Sequence, residues 1–349
     1  MSIIEINNKK IGADNSVYII AEIGINHQGN VNIAKELILQ AKDCGADCVK
    51  FQKRSLNRIL TKEGLNMPYI NDNSFGETYG EHKQALELSE SDYQILLDFS
   101  NTNNIDFAAS GWDEESIDFL YELGVPFFKM ASADITNFPL LEYAAKKGKP
   151  MIISTGMSDM DTVEKAVGLV KKFNKQIGVL QCTSTYPTSF DQIHLNVINT
   201  FKEKFSDCVI GYSGHELGIA IPIASVSLGA RIIERHFTLD RTMKGGDHAA
   251  SLEPQGFKKM VRDIRNLEQA MGSCNKTMQD SEIPIFKKLS KSIVSRIDIK
   301  EGEIITVDKI TTKGPGTGIS PMKIDVLVGK RTKVNIPADT VILEDDINW

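Results

Sequence analysis

No stretch of this chain stays apolar for the ~20 residues a bilayer crossing needs. The opening "MSIIEINNKKIG" lacks a long apolar run after a basic start, so no signal peptide is expected. Cysteine is scarce. The five thiols, Cys44, Cys48, Cys182, Cys208 and Cys274, are odd in number and contain no CxxC pair. That argues against a disulfide framework or a zinc ribbon and for a reducing, cytoplasmic setting. Basic excess is also missing: 40 Lys and Arg stand against 46 Asp and Glu, a net charge of −6. There is no global field for nucleic acid, so any anionic ligand needs a local basic site. The remaining composition, 41% apolar and 25% charged over 349 residues, is that of a globular protein of one large domain or two.

What is present is a repeated alternation. Short apolar runs at 17–24, 47–52, 105–111, 127–133, 151–156, 177–184, 208–214 and 231–237 read as strands, with amphipathic segments between them. In "NIAKELILQAKDCG" the residues Ala34, Leu37, Ile38 and Ala41 share one helical face. In "SDMDTVEKAVGLVKKF" Ser158 and Asp161 have capping-box spacing, and "PQGFKKMVRDIRNLEQAMG" ends on a glycine stop. The runs are too continuously apolar for half-solvated antiparallel strands. They suit a parallel sheet covered by helices. Eight such units in series predict an α/β fold, a closed (β/α)8 TIM barrel. Residues 54–90 exceed a normal strand-to-helix connection, and insertions of that kind are usually functional. Beyond about 280 the rhythm stops, and "RIDIKEGEIITVDKI" (296–310) is echoed by "KVNIPADTVILEDDI" (333–347). Each copy reads as strand, turn, strand and acidic turn. The expected organisation is a catalytic barrel over 1–280 and a small β-rich domain over 281–349, with a linker near 275–290.

The run "RIIERHF" starts as a buried strand and ends in Glu234, Arg235 and His236. Unpaired buried charge is costly, but in a TIM barrel the C-terminal strand ends form the active-site face. Every strand ends polar. In order the ends carry Glu22, Lys50 with Gln52, Ser110, Lys129 with Ser132 and Asp134, Ser154, Ser184 with Tyr186, Ser213 with His215, and Arg235 with His236. Asp247 follows closely. Two lysines with the hydroxyls of Ser132, Ser154 and Ser213 suit a phosphate plus a carboxylate. Taken singly, each lysine is an ordinary strand-end side chain and each serine a turn residue. His215 and His236, at consecutive strand ends, suit a divalent transition metal together with Glu22 or Asp247 and water. As isolated residues they are capping histidines. His27 is either a third pocket residue or a loop packer.

The ordered set "IIAEIGINHQG", "GADCVKFQK", "FFKMASAD", "STGM", "QCTSTYPT", "GYSGHE", "IIERHFTLD" and "GGDHAASLEP" resembles the sialic acid synthase family along nearly the whole chain. The resemblance implies a TIM barrel followed by an antifreeze-like (SAF) domain. It implies condensation of phosphoenolpyruvate with N-acetylmannosamine, or its 6-phosphate, to N-acetylneuraminate, or its 9-phosphate, plus phosphate. It assigns His215 and His236 to a divalent metal, Mn2+ by expectation, and Lys50, Ser110, Lys129, Ser132, Ser154, Ser184 and Ser213 to phosphoenolpyruvate. Glu22 becomes a carboxylate at the reacting centre, and Gln52, Asp134, Tyr186 and Asp247 face the sugar. The family also implies a domain-swapped homodimer. Two positions depart from the pattern: Ser184 stands where many bacterial members have Asn, and Gly314 where they often have an Arg reaching toward the partner subunit's sugar. The runs "TYGEHKQALELS" and "KGGDHAASLEP" resemble the animal type, which uses the 6-phosphate, and Lys244 in the second is either a phosphate partner or a solvated loop lysine. The alternatives are a legionaminate or pseudaminate synthase using a 2,4-diacetamido sugar and, in another class, a metal-dependent aldolase or lyase.

Overall fold

Residues 3–12 form a hairpin that the strand pattern does not announce: β1 (Ile3–Ile6) pairs antiparallel with β2 (Lys9–Gly12). Its two-residue turn is Asn7–Asn8, both at positive φ, as a tight hairpin requires. Eight parallel strands follow in this computed structural model, which describes residues 2–349. They are β3 (Tyr18–Gly24), β4 (Cys48–Lys53), β5 (Asp106–Gly111), β6 (Phe128–Met130), β7 (Met151–Ser154), β8 (Ile177–Cys182), β9 (Val209–Gly214) and β10 (Ile232–His236). β10 pairs back onto β3 and closes the barrel. The (β/α)8 reading is therefore correct.

Alternation along each strand separates two cores. Inward residues Tyr18, Ile20, Cys48, Ala108, Phe127, Ile152, Leu180, Val209 and Ile232 cluster with Ile4, Ile6 and Ile11 of the hairpin. The hairpin thus seals the N-terminal end of the barrel, and each buried isoleucine contributes ~1.5–3 kcal/mol relative to exposure. Gly211 allows this inner layer to close: a Cβ there would lie 2.4 Å from Leu180 and 2.5 Å from the Ile232 carbonyl. Outward residues such as Val49, Phe107, Phe128 and Ile233 pack on the helices, including Ala34, Leu37, Ile38 and Ala41 of helix Val31–Asp43.

One capping expectation is corrected. The N-cap of helix Met160–Lys171 is Asp159, whose carboxylate accepts from the Thr162 amide, while the Ser158 hydroxyl donates to the Thr155 carbonyl. The glycine stop holds: helix Pro254–Ala270 ends before Gly272 at φ 49°. The 54–90 insertion is ordered by short helices at Leu56–Ile59, Lys62–Asn66 and Tyr79–Ala85 and by rings packed on buried His82, with Tyr69 4.6 Å away between centroids. No helix among the described residues is long and apolar enough to cross a membrane.

The chain divides into two units after Gly272. The second, Ser273–Trp349, has its own isoleucine-rich core and the antiparallel pairs Ser292–Ser295 with Ile310–Lys313 and Arg331–Thr332 with Ile347–Asn348. The echoed segments superpose their roles at an offset of 37 residues: Ile299 with Ile336, Ile305 with Ile342, Ile310 with Ile347, all in that core. Ile299 and Ile336 bridge each other directly. The expected acidic turns are there as 3-10 turns at Val307–Lys309 and Glu344–Asp346. The expected second strand of each copy reduces to isolated bridges at Ile304 and Val341.

Candidate active site

Two residues beyond the apolar inner layer, every barrel strand turns polar while still pointing inward. Ile20 is followed by Glu22, Cys48 by Lys50, Ala108 by Ser110, Phe127 by Lys129, Ile152 by Ser154, Leu180 by Cys182, Gly211 by Ser213 and Ile232 by Glu234. These eight residues line one cavity of about 290 Å³, together with Gln52, Ser132, Ser184, Tyr186, His215, His236 and Asp247. The charged end of β10 is explained by parity. Glu234 and His236 face the cavity. Arg235 faces away, fully buried, with Nη1 2.6 Å from Glu216 Oε1. Tyr212 donates to the other Glu216 oxygen at 2.7 Å. Arg235 therefore ties the strand to its surroundings and is not a pocket residue.

The floor carries two cations and two carboxylates. Lys50 Nζ is 2.5 Å from Glu22 and 3.9 Å from Glu234, and donates to Ser110 Oγ at 3.1 Å. Lys129 Nζ is 3.5 Å from Glu234 and donates to Ser154 Oγ at 2.7 Å. Ser213 Oγ donates to Glu234 at 3.0 Å, and Gln52 Nε2 to Glu22 at 3.1 Å. Burial pushes the Glu22 carboxyl up to about 7 against the opposing effect of Lys50. Burial acts on Glu234 in the same sense, but Lys129 and Lys50 outweigh it and hold that carboxyl well below its usual range. The floor is a charge-compensated network of hydrogen-bond donors for an anion, with one carboxyl poised near neutrality.

Above it the two histidine rings stand 5.4 Å apart between centroids, with Tyr186 4.1 Å from the His215 ring. His215 Nδ1 is 2.7 Å from the Thr183 carbonyl. A carbonyl only accepts, so Nδ1 carries a proton, and in the neutral ring the lone pair sits on Nε2. His236 Nδ1 is buried without a hydrogen-bond partner, 3.8 Å from Asp247, and burial pulls its ring down to about 4. For His215 burial works against charge, yet Cys182 and the Thr183 carbonyl outweigh it and raise the ring above its ordinary value. The pair fits a divalent metal as two imidazole ligands. No group of three or more His, Cys, Asp or Glu gathers for one among the described residues, so other positions would fall to water or substrate.

All the expected site residues line this cavity except Asp134. It lines an adjoining cavity of about 650 Å³, and burial pushes its carboxyl up to about 6. Arg54, Lys83 and Trp112, absent from the expected set, border both cavities. Glu234 and Cys182 were also missed, though two-residue alternation from Ile232 and Leu180 points to them. His27 packs under the Phe51 ring at 5.8 Å and is a loop packer. Lys244 is exposed, its ammonium 5.0 Å above the Phe75 ring, and lines neither cavity.

The NeuB family pattern matches residues 37–276 and the SAF domain pattern residues 290–348. The chain belongs to the NeuB family. Within it, N-acetylneuraminate-9-phosphate synthase from Homo sapiens is 47% identical over 96% of this chain and 94% of its own. N,N'-diacetyllegionaminic acid synthase from Legionella pneumophila is 39% identical over 98% of this chain and 99% of its own. Among solved structures, the N-acetylneuraminic acid synthetase from Leptospira borgpetersenii, crystallised with citrate, matches with a TM-score of 0.71. It is 35% identical and covers 81% of this NeuB-family chain and 95% of its own.

Proposed function

We propose that this NeuB-family enzyme condenses phosphoenolpyruvate with open-chain N-acetylmannosamine, or its 6-phosphate, to give N-acetylneuraminate, or its 9-phosphate, and inorganic phosphate. The observation that carries the reading is the cavity floor, where Lys50, Lys129, Ser110, Ser154 and Ser213 converge beside two imidazoles. Phosphoenolpyruvate brings a phosphate and a carboxylate, which the lysines and hydroxyls bind with charge-assisted hydrogen bonds. Its C3 attacks the aldehyde carbon, forming the new C–C bond, and the aldehyde oxygen takes a proton. Water then adds to C2, losing a proton to Glu22, whose carboxyl near neutrality suits a general base. Collapse at C2 breaks its bond to the phosphate oxygen, the C2 hydroxyl proton passes to the departing phosphate, and the ketone remains. A divalent metal, Mn2+ by preference, would be held by His215 and His236 and supply Lewis-acid polarisation of the aldehyde oxygen. The free state of all five cysteines supports a reducing, cytoplasmic setting. We also propose a homodimer, checked by light scattering behind a sizing column.

The test is phosphate release from phosphoenolpyruvate with a panel of aldehyde sugars, with and without chelator. Turnover of an N-acetylmannosamine substrate, abolished by EDTA and by His236→Ala and restored to the wild type by Mn2+, is the expected result. Turnover of a 2,4-diacetamido sugar alone would move the enzyme to the legionaminate or pseudaminate branch. Full activity of His236→Ala in metal-free buffer would remove the metal assignment.

A further inference from the structure

Where the central cavity opens, its wall is no longer barrel strand. Arg54, at the start of the 54–90 insertion, and Lys83, on its helix Tyr79–Ala85, border both this cavity and the larger adjoining one. Arg54 is 3% exposed. Its Nε lies 2.5 Å from Glu87, and its guanidinium sits 5.5 Å from the centre of the Trp112 ring. Its Nη2 is buried with no hydrogen-bond partner. A buried guanidinium nitrogen left unpaired is costly unless something else accepts from it. Lys83 is half-buried, its ammonium 5.1 Å over the Tyr79 ring, and it joins no ion pair among the described residues. Glu87 neutralises only one of these two cations. In the adjoining cavity the Asp134 Oδ2 also lacks a donor, and Asn137 serves only the other oxygen, at 3.2 Å.

We propose that Arg54 and Lys83 form the subsite for the terminal phosphate of a phosphorylated acceptor sugar, so that the 54–90 insertion selects the 6-phosphate over the free sugar. This rests on the synthase reading above. An acceptor with its aldehyde carbon at the histidine pair extends its far end toward the cavity mouth. There the unpaired guanidinium nitrogen and the free ammonium meet a dianion in a charge-assisted geometry, and the unpaired Asp134 oxygen can accept from a sugar hydroxyl. Lys244, for which the sequence leaves a phosphate role open, lies outside both cavities.

Removing Arg54 strands Glu87 and risks the fold, so the half-exposed Lys83 is the variant of choice. The readout is the ratio of kcat/KM for N-acetylmannosamine 6-phosphate to that for N-acetylmannosamine. Lys83→Gln should lower this ratio by about ten-fold or more, the effect of one lost charge-assisted bond. Lys83→Arg should restore most of it. An unchanged ratio in Lys83→Gln, from equal loss on both sugars or none on either, would overturn the subsite and leave the synthase reading standing. No turnover of either sugar by the wild-type enzyme would overturn both.

Discussion

Glu234 and Asp134 are both buried carboxylates near the cavity, and their neighbours give them opposite behaviour. Glu234 lies among Lys129, Lys50 and the Ser213 hydroxyl and stays ionised. Truncating Lys129 to Ala removes a charge-assisted donor and leaves Glu234 with a weaker counter-charge. Such a bond is worth about 1.5–3 kcal/mol, so apparent phosphoenolpyruvate affinity should fall roughly ten-fold to more than a hundred-fold. An unchanged KM for phosphoenolpyruvate would show that Lys129 does not face it. Asp134 has no cation beside it, and burial raises its carboxyl from an ordinary 3.8 to about 6. Its folded pKa lies above its unfolded one, so the native state binds the extra proton between those values. The stabilisation is present below about pH 4 and is lost as pH rises through about 6. Above that, the fold must hold a poorly solvated carboxylate. Asp134→Asn keeps an acceptor for Asn137 and removes the charge. It should stabilise the barrel by about 1–3 kcal/mol at pH 8 and by much less at pH 4.5. Denaturant titrations at the two pH values check this, and an equal effect at both would show that the carboxyl is not held up by burial.

At the scale of elements, β10 shows what strand periodicity can and cannot reveal. Its apolar start and charged end are plain in the sequence, and with seven similar runs they specify the barrel. Which of Glu234, Arg235 and His236 enters the cavity depends on register, and a one-residue slip exchanges the faces. Once Ile232 is known to face inward, Glu234 and His236 follow, and Arg235 must find a partner outside the barrel lumen. That partner, Glu216, is distant in sequence and could not be read from local pattern. Arg54 and Lys83 were hidden for the same reason, because an insertion's contribution to a cavity depends on how it folds back. The hairpin at Asn7–Asn8 leaves little trace in the sequence because its strands are short, and the cap at Asp159 is masked because Ser158 satisfies the same spacing rule one residue early. Arg235→Met leaves Glu216 buried without its cation and should cost about 3–5 kcal/mol, whereas Arg235→Met combined with Glu216→Gln should recover much of that. A double variant no more stable than the single one would show that packing, not charge, is what Arg235 provides. Asp159→Ala should cost about 1 kcal/mol and Ser158→Ala less. Thermal melts that ranked them in reverse would reassign the cap.

The whole molecule joins two units that reach a core by different means. The barrel draws its interior from strands far apart in sequence, sealed by the N-terminal hairpin. The Ser273–Trp349 unit has little regular structure, and its order rests on isoleucines supplied in matching positions by two echoed segments. Gly302 and Asp339, also 37 residues apart, both turn the chain at positive φ, so the echo extends to the backbone. This symmetry makes a quantitative claim. Ile305 and Ile342 are equivalent residues of the two copies and are each fully buried. Truncating either to Ala removes the same atoms from the same core and should cost about 2–5 kcal/mol of that unit's stability. A unit this small carries only a modest margin, so either change should strongly lower its unfolding temperature. Because the barrel has a separate core, its own transition should not move. Scanning calorimetry of the full chain would then show one of two transitions shifted, by similar amounts in Ile305→Ala and Ile342→Ala. A shift confined to one variant would mean that the two copies share a pattern without sharing the load. A single transition displaced as a whole would mean that the barrel and the C-terminal unit unfold together.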